Sequence, residues 1–317
     1  MLQYRSFRNT DPPGLVEIWN EAFTGRGAVR LRHSAPLERF AFAKPYFDPQ
    51  GLIVAVDGET RVGFAHAGFG PNPQESALAL SDGVLCLLGV RPAFRRQGIG
   101  SELLSRCESY LKGRGATTLY AGPQRPCDPF YFGIYGGCDM PGFLESDRDS
   151  QPFLQTRGYR SVQTCLVYQR RLDGPLNIVD ARFGVLRTRF DMQVLPRVGA
   201  ASWWKECVNG PIEFLEFRLV ERATSRVAAR ADVWEMEGFS WGWGLPTIGI
   251  RGLHVPDDMR RQGLAKFLVT HILRYMQEQY FGLVEIQAMQ DSASANNLCR
   301  LLGFEQIDVG HLYRREP

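Results

Sequence analysis

The chain has 317 residues, of which 44% are hydrophobic and 22% charged, and its formal net charge is +3. The length predicts two domains of ordinary size and the composition predicts a soluble globular protein, while the small net charge gives no general case for nucleic acid or an acidic membrane surface as a partner. No apolar run reaches the roughly 20 residues of a membrane helix, and the seven scattered cysteines predict reduced thiols in a cytoplasmic protein and no metal site.

In the first half, hydrophobic periodicity and turn residues predict a regular succession of elements. These are a strand over 2–8, a helix from Thr10, a short helix over 36–42, a hairpin of 52–56 with 61–69, a strand ending at Val90, a helix to about Lys112, a strand over 117–121 and closing strands over 159–171. Residues 172–176 are the best linker, because they combine Asp, Gly and Pro.

Residues 126–143, within an inserted loop over about 124–146, are rich in aromatic residues, Gly and Pro. Such a segment forms neither a regular helix nor a central strand. It is too apolar for a free linker, so it should pack as a compact loop. The sequence leaves two alternatives for what this loop packs against, the other domain or the substrate cleft.

The second half predicts a similar succession with less helix before its hairpin. The predicted elements are a strand over 183–194, a helix over 201–208, a hairpin over 212–234 that turns near 223–225, a Gly–aromatic loop over 238–244, a strand before Val255, a helix from Leu264, a strand over 283–288 and a helix over 294–302.

One motif occurs twice, 165 residues apart. The first copy reads Arg-Arg-Gln-Gly-Ile-Gly over 95–100, and the second reads Arg-Arg-Gln-Gly-Leu-Ala over 260–265. Each copy lies between an apolar strand and an amphipathic helix. The first amides of a helix lack partners and its dipole favours negative charge, while glycine lets the backbone approach a ligand. The motif therefore predicts two turns that bind phosphate or pyrophosphate.

These turns resemble motif A of the GNAT superfamily of N-acetyltransferases, which grips the pyrophosphate of acetyl-CoA. The resemblance implies an α/β (α+β) fold of two GNAT domains, 1–171 and 177–317. Each would have a mixed, mostly antiparallel sheet flanked by helices, with one splayed strand pair. The tandem arrangement is similar to that of the mycothiol synthase family. The acetyl-CoA-binding residues that the resemblance implies are Val90, Arg95, Arg96, Gln97, Gly98, Ile99, Gly100, Val255, Arg260, Arg261, Gln262, Gly263, Leu264, Ala265 and Asn296.

The sequence departs from this family where catalysis is expected. The usual glutamate would stand four or six residues before the motif valine, but those places hold Val84, Cys86, Gly249 and Arg251. The usual tyrosine is replaced by Leu154 and Cys299. Acetyl transfer needs a base for the amine and a proton for the thiol. Substitutes are Tyr135, Glu75 and Glu235, with Asp82, Asp232, Glu237, Tyr120 and Tyr131 as further candidates.

The sequence thus predicts an acetyl-CoA-dependent N-acetyltransferase for a small primary amine, without a metal, as a monomer or homodimer. Two alternatives remain at this stage. The acceptor is a peptide or protein, or the chain binds acetyl-CoA without turnover, which the missing glutamate and tyrosine favour.

Overall fold

The structure is a computed structural model that describes residues 1–210 and 212–315. Its backbone contacts divide the chain into two compact units. The first unit contains residues 1–164, 200–210 and 309–315, and the second contains 165–199 and 212–308. These units differ from the predicted ranges 1–171 and 177–317 in three stretches, and the domain boundaries themselves stay a prediction.

Both halves of the chain contain strands and helices. In chain order the strands are β1 (Leu2–Ser6), β2 (Leu52–Asp57), β3 (Thr60–Pro71), β4 (Leu78–Val90), β5 (Thr118–Ala121), β6 (Phe143–Leu144), β7 (Tyr159–Arg171), β8 (Phe190–Pro196), β9 (Leu215–Glu221), β10 (Val227–Glu235), β11 (Thr247–His254), β12 (Leu283–Met289) and β13 (Glu305–Arg315). The helices are α1 (Pro12–Ala22), α2 (Ala35–Leu37, followed by a π-helical turn Glu38–Phe42), α3 (Ile99–Gly113), α4 (Ser150–Gln155), α5 (Phe183–Arg189), α6 (Trp203–Asn209), α7 (Glu237–Trp243), α8 (Leu264–Glu278) and α9 (Ala293–Leu301).

The sheet of the first unit has the order β1-β2-β3-β4-β5, followed by the part of β13 that belongs to this unit. Its neighbours are antiparallel except β4 and β5, which are parallel. Helix α3 places Ile99, Leu103 and Leu111 in the core, as its apolar periodicity predicts. Burying each such side chain contributes about 1.5–3 kcal/mol.

The second unit repeats this plan. Its sheet has the order β8-β9-β10-β11-β12, followed by the part of β7 that begins at Cys165. Again one pair, β11 and β12, is parallel and its neighbours are antiparallel. Helix α8 buries Phe267, Leu268 and Ile272 against Phe217 and Ile250. The predicted fold class, two similar α/β halves with mostly antiparallel sheets flanked by helices, is therefore confirmed.

Two predicted elements are wrong. Residues 183–189, predicted as the start of a strand, form helix α5, because Phe183 and Leu186 lie one turn apart and are both buried. Residues 237–243, predicted mainly as a loop, form helix α7. There Phe239 packs on Trp243 at 5.1 Å between ring centroids, and the left-handed Gly244 ends the helix.

The loop over 124–146 packs within the first unit. Its residues 130–144 are buried, and Tyr131 donates its backbone N–H to Phe40 O at 3.1 Å. The two-residue strand β6 is its regular part, and it pairs with Gly310 and His311. No helix within residues 1–210 and 212–315 has the length and apolar content to span a bilayer.

Asp11, at the start of α1, gives a test of the first unit. Its buried carboxylate accepts bonds from Arg5 at 2.7 Å, Arg61 at 3.0 Å and the backbone N–H of Arg8 at 2.8 Å. Burial by itself raises the pKa of Asp11, but these bonds outweigh it, so the pKa lies below its usual value. We expect Asp11→Asn to lower the free energy of unfolding by about 2–3 kcal/mol, because the arginines are left unpaired.

The measurement is denaturant unfolding at pH 7, with Asp57→Asn as the matched control. Asp57 is half exposed and pairs with the terminal amine of Met1, so its loss should cost less than about 1 kcal/mol. Because a lowered pKa stabilises the folded state above the ordinary Asp pKa and is lost on acidification, the difference between wild type and Asp11→Asn should shrink as the pH falls below about 4. Equal stability of Asp11→Asn and Asp57→Asn at pH 7 would contradict the stabilising role of the buried Asp11 carboxylate.

Candidate active site

Both motif turns have the same unusual backbone. Arg96 and Arg261 each have a φ of 62°, and Gly98 and Gly263 have φ values of 83° and 85°. A positive φ is costly for arginine and easy for glycine. Left-handed residues that alternate in this way aim successive amides into one concavity, which is an anion-binding geometry.

The first amides of the helix that follows each turn have no partner within the helix, and they adjoin the same concavity. The first helical bond runs from Glu102 N to Gly98 O at 3.1 Å, and from Phe267 N to Gly263 O at 2.9 Å. The amides that precede it have no carbonyl one turn earlier in the helix. A Cβ built on Gly98 meets nothing within 4 Å, so space for a diphosphate lies directly against the backbone. The residues present therefore fit acetyl-CoA at this turn.

The motif strand separates from its parallel neighbour at the same place in both units. The last parallel pairs are Leu85 with Ala121 and Ile250 with Ile286, each five residues before the motif valine. Beyond them β4 continues to Val90 and β11 continues to His254. Each motif strand also carries a bulge, with one extra residue relative to its antiparallel neighbour. This is the splayed strand pair that the family resemblance implies.

The side chains of the predicted coenzyme residues divide into those that shape the turn and those that face outward. Arg95 and Arg260 donate from Nε to the carbonyls of Val90 and Val255, at 3.0 and 3.2 Å. They therefore close the turn. Ile99 and Leu264 are buried, Gln97 and Gln262 lie at the rim, and the other small residues are Gly100 and Ala265. Arg96 and Arg261 are exposed.

Arg182, which the sequence analysis does not identify, lies against the second turn. A Cβ built on Gly263 would lie 2.9 Å from the Arg182 guanidinium carbon. Asp180 orients this guanidinium through two bonds of 2.8 and 2.7 Å. Arg182 lies 81 residues before Gly263 and outside the motif, so no local sequence pattern identifies it. In the first unit, no side chain lies within 4 Å of a Cβ built on Gly98.

Asn296 in α9 has a structural set of contacts. Its Nδ2 donates to Met289 O and Gln290 O, both at 3.0 Å, and its Oδ1 accepts from Tyr168 at 3.2 Å. These bonds use both ends of a buried amide. They fix the chain after β12, so Asn296 positions the splayed strand. A direct contact of Asn296 with the coenzyme stays a prediction.

In the first unit the inserted loop covers the side of the sheet next to the motif strand. His66 on β3 pairs with Leu87, three residues before Val90. Phe130 stacks on its ring at 4.2 Å between centroids, and Tyr131 Oη lies 2.7 Å from Nδ1. Burial lowers the pKa of His66 to about 3, so the ring is neutral at pH 7. This position is therefore closed by the unit's own aromatic residues.

Two of the predicted catalytic residues, Tyr135 and Glu75, lie in the first unit in packed positions. Tyr135 is fully buried and donates to Asp147 at 2.5 Å. Glu75 accepts from Ser202 Oγ and from Lys205 at 3.2 Å, and its backbone carbonyl accepts from Trp204 N. Glu75 thus holds the start of α6. Both roles as base or acid stay predictions.

The third, Glu235, is exposed at the end of β10 in the second unit. Asp232, three residues earlier on the same strand, pairs with Arg251, in the part of β11 beyond its last parallel pair with β12. A Cβ built on Gly252, three residues before Val255, would lie 3.6 Å from Asp232 Oδ2. Among the other candidates, Asp82 on β4 pairs with Thr118, Tyr120 on β5 pairs with Val84, and Glu237 begins α7.

Asp232 has the electrostatics of a proton acceptor. Burial raises its pKa above the usual value, against the opposing effect of Arg197, which donates to Oδ2 at 2.7 Å. Within the described ranges, 1–210 and 212–315, no side chain or amide bonds Oδ1 of Asp232. Over the same residues, no group of three or more His, Cys, Asp or Glu is placed to hold a metal ion.

The sequence matches the model of the family described as Acetyltransferase (GNAT) family over residues 13–133 and 211–304. The two matched segments contain both motif turns and the strands before them. Comparison with curated proteins gives no match.

Solved structures of similar fold cover nearly the whole chain. A tandem GNAT protein from the clavulanic acid biosynthesis pathway is 17% identical, with a TM-score of 0.70, and the match covers 100% of this chain and 98% of that protein. A GCN5-related N-acetyltransferase from Sphaerobacter thermophilus is 15% identical, with a TM-score of 0.64 and coverages of 99% and 95%. At these identities the likeness establishes the fold alone.

Gly98 gives a direct test of the first turn. We expect Gly98→Glu to remove acetyl-CoA binding there, because a carboxylate would occupy the space against the amides. Gly98→Ala is the matched control, since it adds the same left-handed strain of about 1 kcal/mol without the charge. Calorimetric titration should show one acetyl-CoA site fewer in Gly98→Glu than in the wild type, and an unchanged number of sites in Gly98→Ala. Unchanged stoichiometry and affinity in Gly98→Glu would refute the assignment.

Arg182 gives a separate test of the second turn, made in a Gly98→Glu background so that only this turn is titrated. We expect Arg182→Gln to weaken acetyl-CoA binding about 5-fold. This loss of affinity is smaller than for a buried arginine, because the side chain is 51% exposed and solvent screens its charge. The loss should diminish at high salt. Arg187→Gln in helix α5, which begins directly after Arg182, is the control. An equal effect of both substitutions would rule out a specific contact.

Proposed function

This chain belongs to the GNAT family of acetyltransferases, and from that membership and the site geometry we propose that it transfers acetyl from acetyl-CoA to a small primary amine. We assign the transfer to the second unit. The observation that supports this assignment is Asp232, a carboxylate of raised pKa beside the bulged motif strand. Acetyl-CoA supplies an activated acetyl group, and the amides of the 260–265 turn, with the guanidinium of Arg182 beside them, would hold its diphosphate.

The difficulty of the reaction lies in the protonated amine. A lysine-like ammonium has a pKa near 10.4, so the neutral form needed for attack costs about 4–5 kcal/mol at pH 7. Asp232 accepts one proton from the ammonium and later returns it to solvent. The nitrogen then bonds the carbonyl carbon as the carbon–sulfur bond breaks, and the second nitrogen proton ends on the departing sulfur.

The chain offers no ready acid for that sulfur at the family's usual place. Cys299 stands there, but burial raises the pKa of its thiol to about 12. A thiol of this pKa donates poorly to a thiolate that is a weaker base. We therefore propose that a water molecule carries the second proton from the nitrogen to the departing sulfur.

For the first unit we propose coenzyme binding without transfer. Its turn has the same backbone as the second turn, but the position equivalent to Asp232 holds the neutral, buried His66. Phe130 and Tyr131 cover that ring. At this position an acceptor amine would meet packed aromatic side chains in place of a carboxylate.

The test is release of free CoA that depends on an added amine. We expect Asp232→Asn to lower kcat by about 10²–10³-fold, because it removes the base and keeps the shape. Asp191→Asn is the matched control, since Asp191 is half exposed and pairs with Arg222 away from the site. Acetyl-CoA affinity should be unchanged in both variants.

The pH dependence gives a second readout of the same variant. Asp232 acts in its deprotonated form, so kcat/KM of the wild type should fall as the pH drops through its raised pKa. This acid limb should be absent from Asp232→Asn. CoA release that is independent of amine, or full activity of Asp232→Asn, would sink the assignment of Asp232.

A further inference from the structure

The second sheet has a polar face that contains Asp232 and, beside it, a cavity. Alternate residues of a strand share a face, so Arg230 and Asp232 lie on the same side of β10. Cross-strand pairing places Arg218 and His254 opposite Arg230, and places Glu216 and Arg251 opposite Asp232. The other face carries Ala231, Val233 and their neighbours in the buried core.

The cavity has a volume of about 360 Å³. Its lining comes from β9, β10 and the end of β11, and consists of Glu216, Arg218, Val227, Ala229, Arg230, His254 and Pro256. Three of these lining residues are apolar and the other four are polar or charged. This volume suits a small molecule, and the cavity lies on the same face as the base that we assign.

The charges in the cavity are unequal. Glu216 and Arg218 form a two-bond ion pair of 2.7 and 2.8 Å, and the bonds from Arg218 lower the pKa of Glu216. Asp232 is paired with Arg197. Across the part of the chain that the structure describes, no carboxylate forms an ion pair with Arg230. Arg230 acts electrostatically on Glu216 and Asp232, but each of these carboxylates is bonded to another arginine, so the guanidinium of Arg230 has no ion-pair partner of its own among the described residues.

From this arrangement we infer that the acceptor is an amine that also carries an anionic group, a carboxylate or a phosphate, which Arg230 binds while Asp232 receives the amine. This inference rests on the proposed function and names its substrate class. The two residues are two positions apart on one strand, so their Cα atoms are roughly 7 Å apart. That spacing fits a molecule with about three to five bonds between nitrogen and anion.

The reaction is the one already written, with the same bonds formed and broken. Arg230 takes no part in the proton transfer. It acts by placing the amine, through charge-assisted bonds to the anionic group. Its loss should therefore raise KM for an anionic acceptor and leave kcat nearly unchanged.

The experiment compares matched amines in the amine-dependent CoA-release assay. The pairs are 4-aminobutyrate with 4-amino-1-butanol, and O-phosphoethanolamine with ethanolamine, so that carboxylate and phosphate are separate arms. We expect kcat/KM to be about 10- to 100-fold higher for an anionic member than for its neutral partner. Arg230→Gln should remove that advantage by raising KM, with kcat changed less than about 2-fold.

Arg222→Gln is the matched control, because this exposed arginine lies in the same hairpin and pairs with Asp191 outside the cavity. Arg230→Lys should restore part of the preference. The inference is overturned if the neutral amines are used equally well, or if Arg230→Gln lowers kcat/KM for both members of a pair alike. Either result leaves the proposed acetyl transfer intact.

If no amine is acetylated, the proposed function fails, and a binding measurement decides the inference separately. Saturation-transfer NMR on the full chain with acetyl-CoA present would then compare 4-aminobutyrate with 4-amino-1-butanol. Transfer to 4-aminobutyrate alone, lost in Arg230→Gln, would support the anion site. Equal transfer to both, or no transfer to either, would reject it.

Discussion

A left-handed backbone at two alternate residues is the constraint on which each site depends. At Arg96 and Arg261 the side chain makes this conformation costly, by roughly 1–2 kcal/mol, yet both turns adopt it with the same φ. The conformation is held because Arg95 and Arg260 bond the carbonyl at the end of the motif strand. The result is a set of backbone amides at a helix start, a geometry that suits an anion.

The two units differ in one residue on the antiparallel neighbour of the motif strand, which is β3 in the first unit and β10 in the second. In the first, the inserted aromatic loop packs over His66, and burial keeps that ring neutral. In the second, the corresponding place on the neighbouring strand holds Asp232, whose charge is supported by Arg197 and whose pKa is raised by burial. In the function that we propose, the first unit therefore binds the coenzyme without transfer, and the second unit both binds it and transfers its acetyl group.

The recurrent pattern of strand, turn and helix can be predicted because both periodicity and the motif are local. The hairpin of β2 and β3 and the apolar sides of α3 and α8 follow from the spacing of their residues. Helices α5 and α7 escape such prediction because short apolar–aromatic runs suit strand, loop and helix alike. Their helical state depends on Phe183 and Phe239, which find buried places.

The sequence by itself determined the two motif turns and the family, since these depend on glycine spacing and helix starts that neighbouring residues define. Tertiary structure decided which carboxylate lies beside the splayed strand, because Glu75, Glu235 and Asp232 look alike as residue types. Pairing of β10 with β11 brings Asp232 to Gly252, while packing of α6 engages Glu75. Likewise Arg182 reaches Gly263 across 81 residues, a distance over which no sequence pattern carries information about contact.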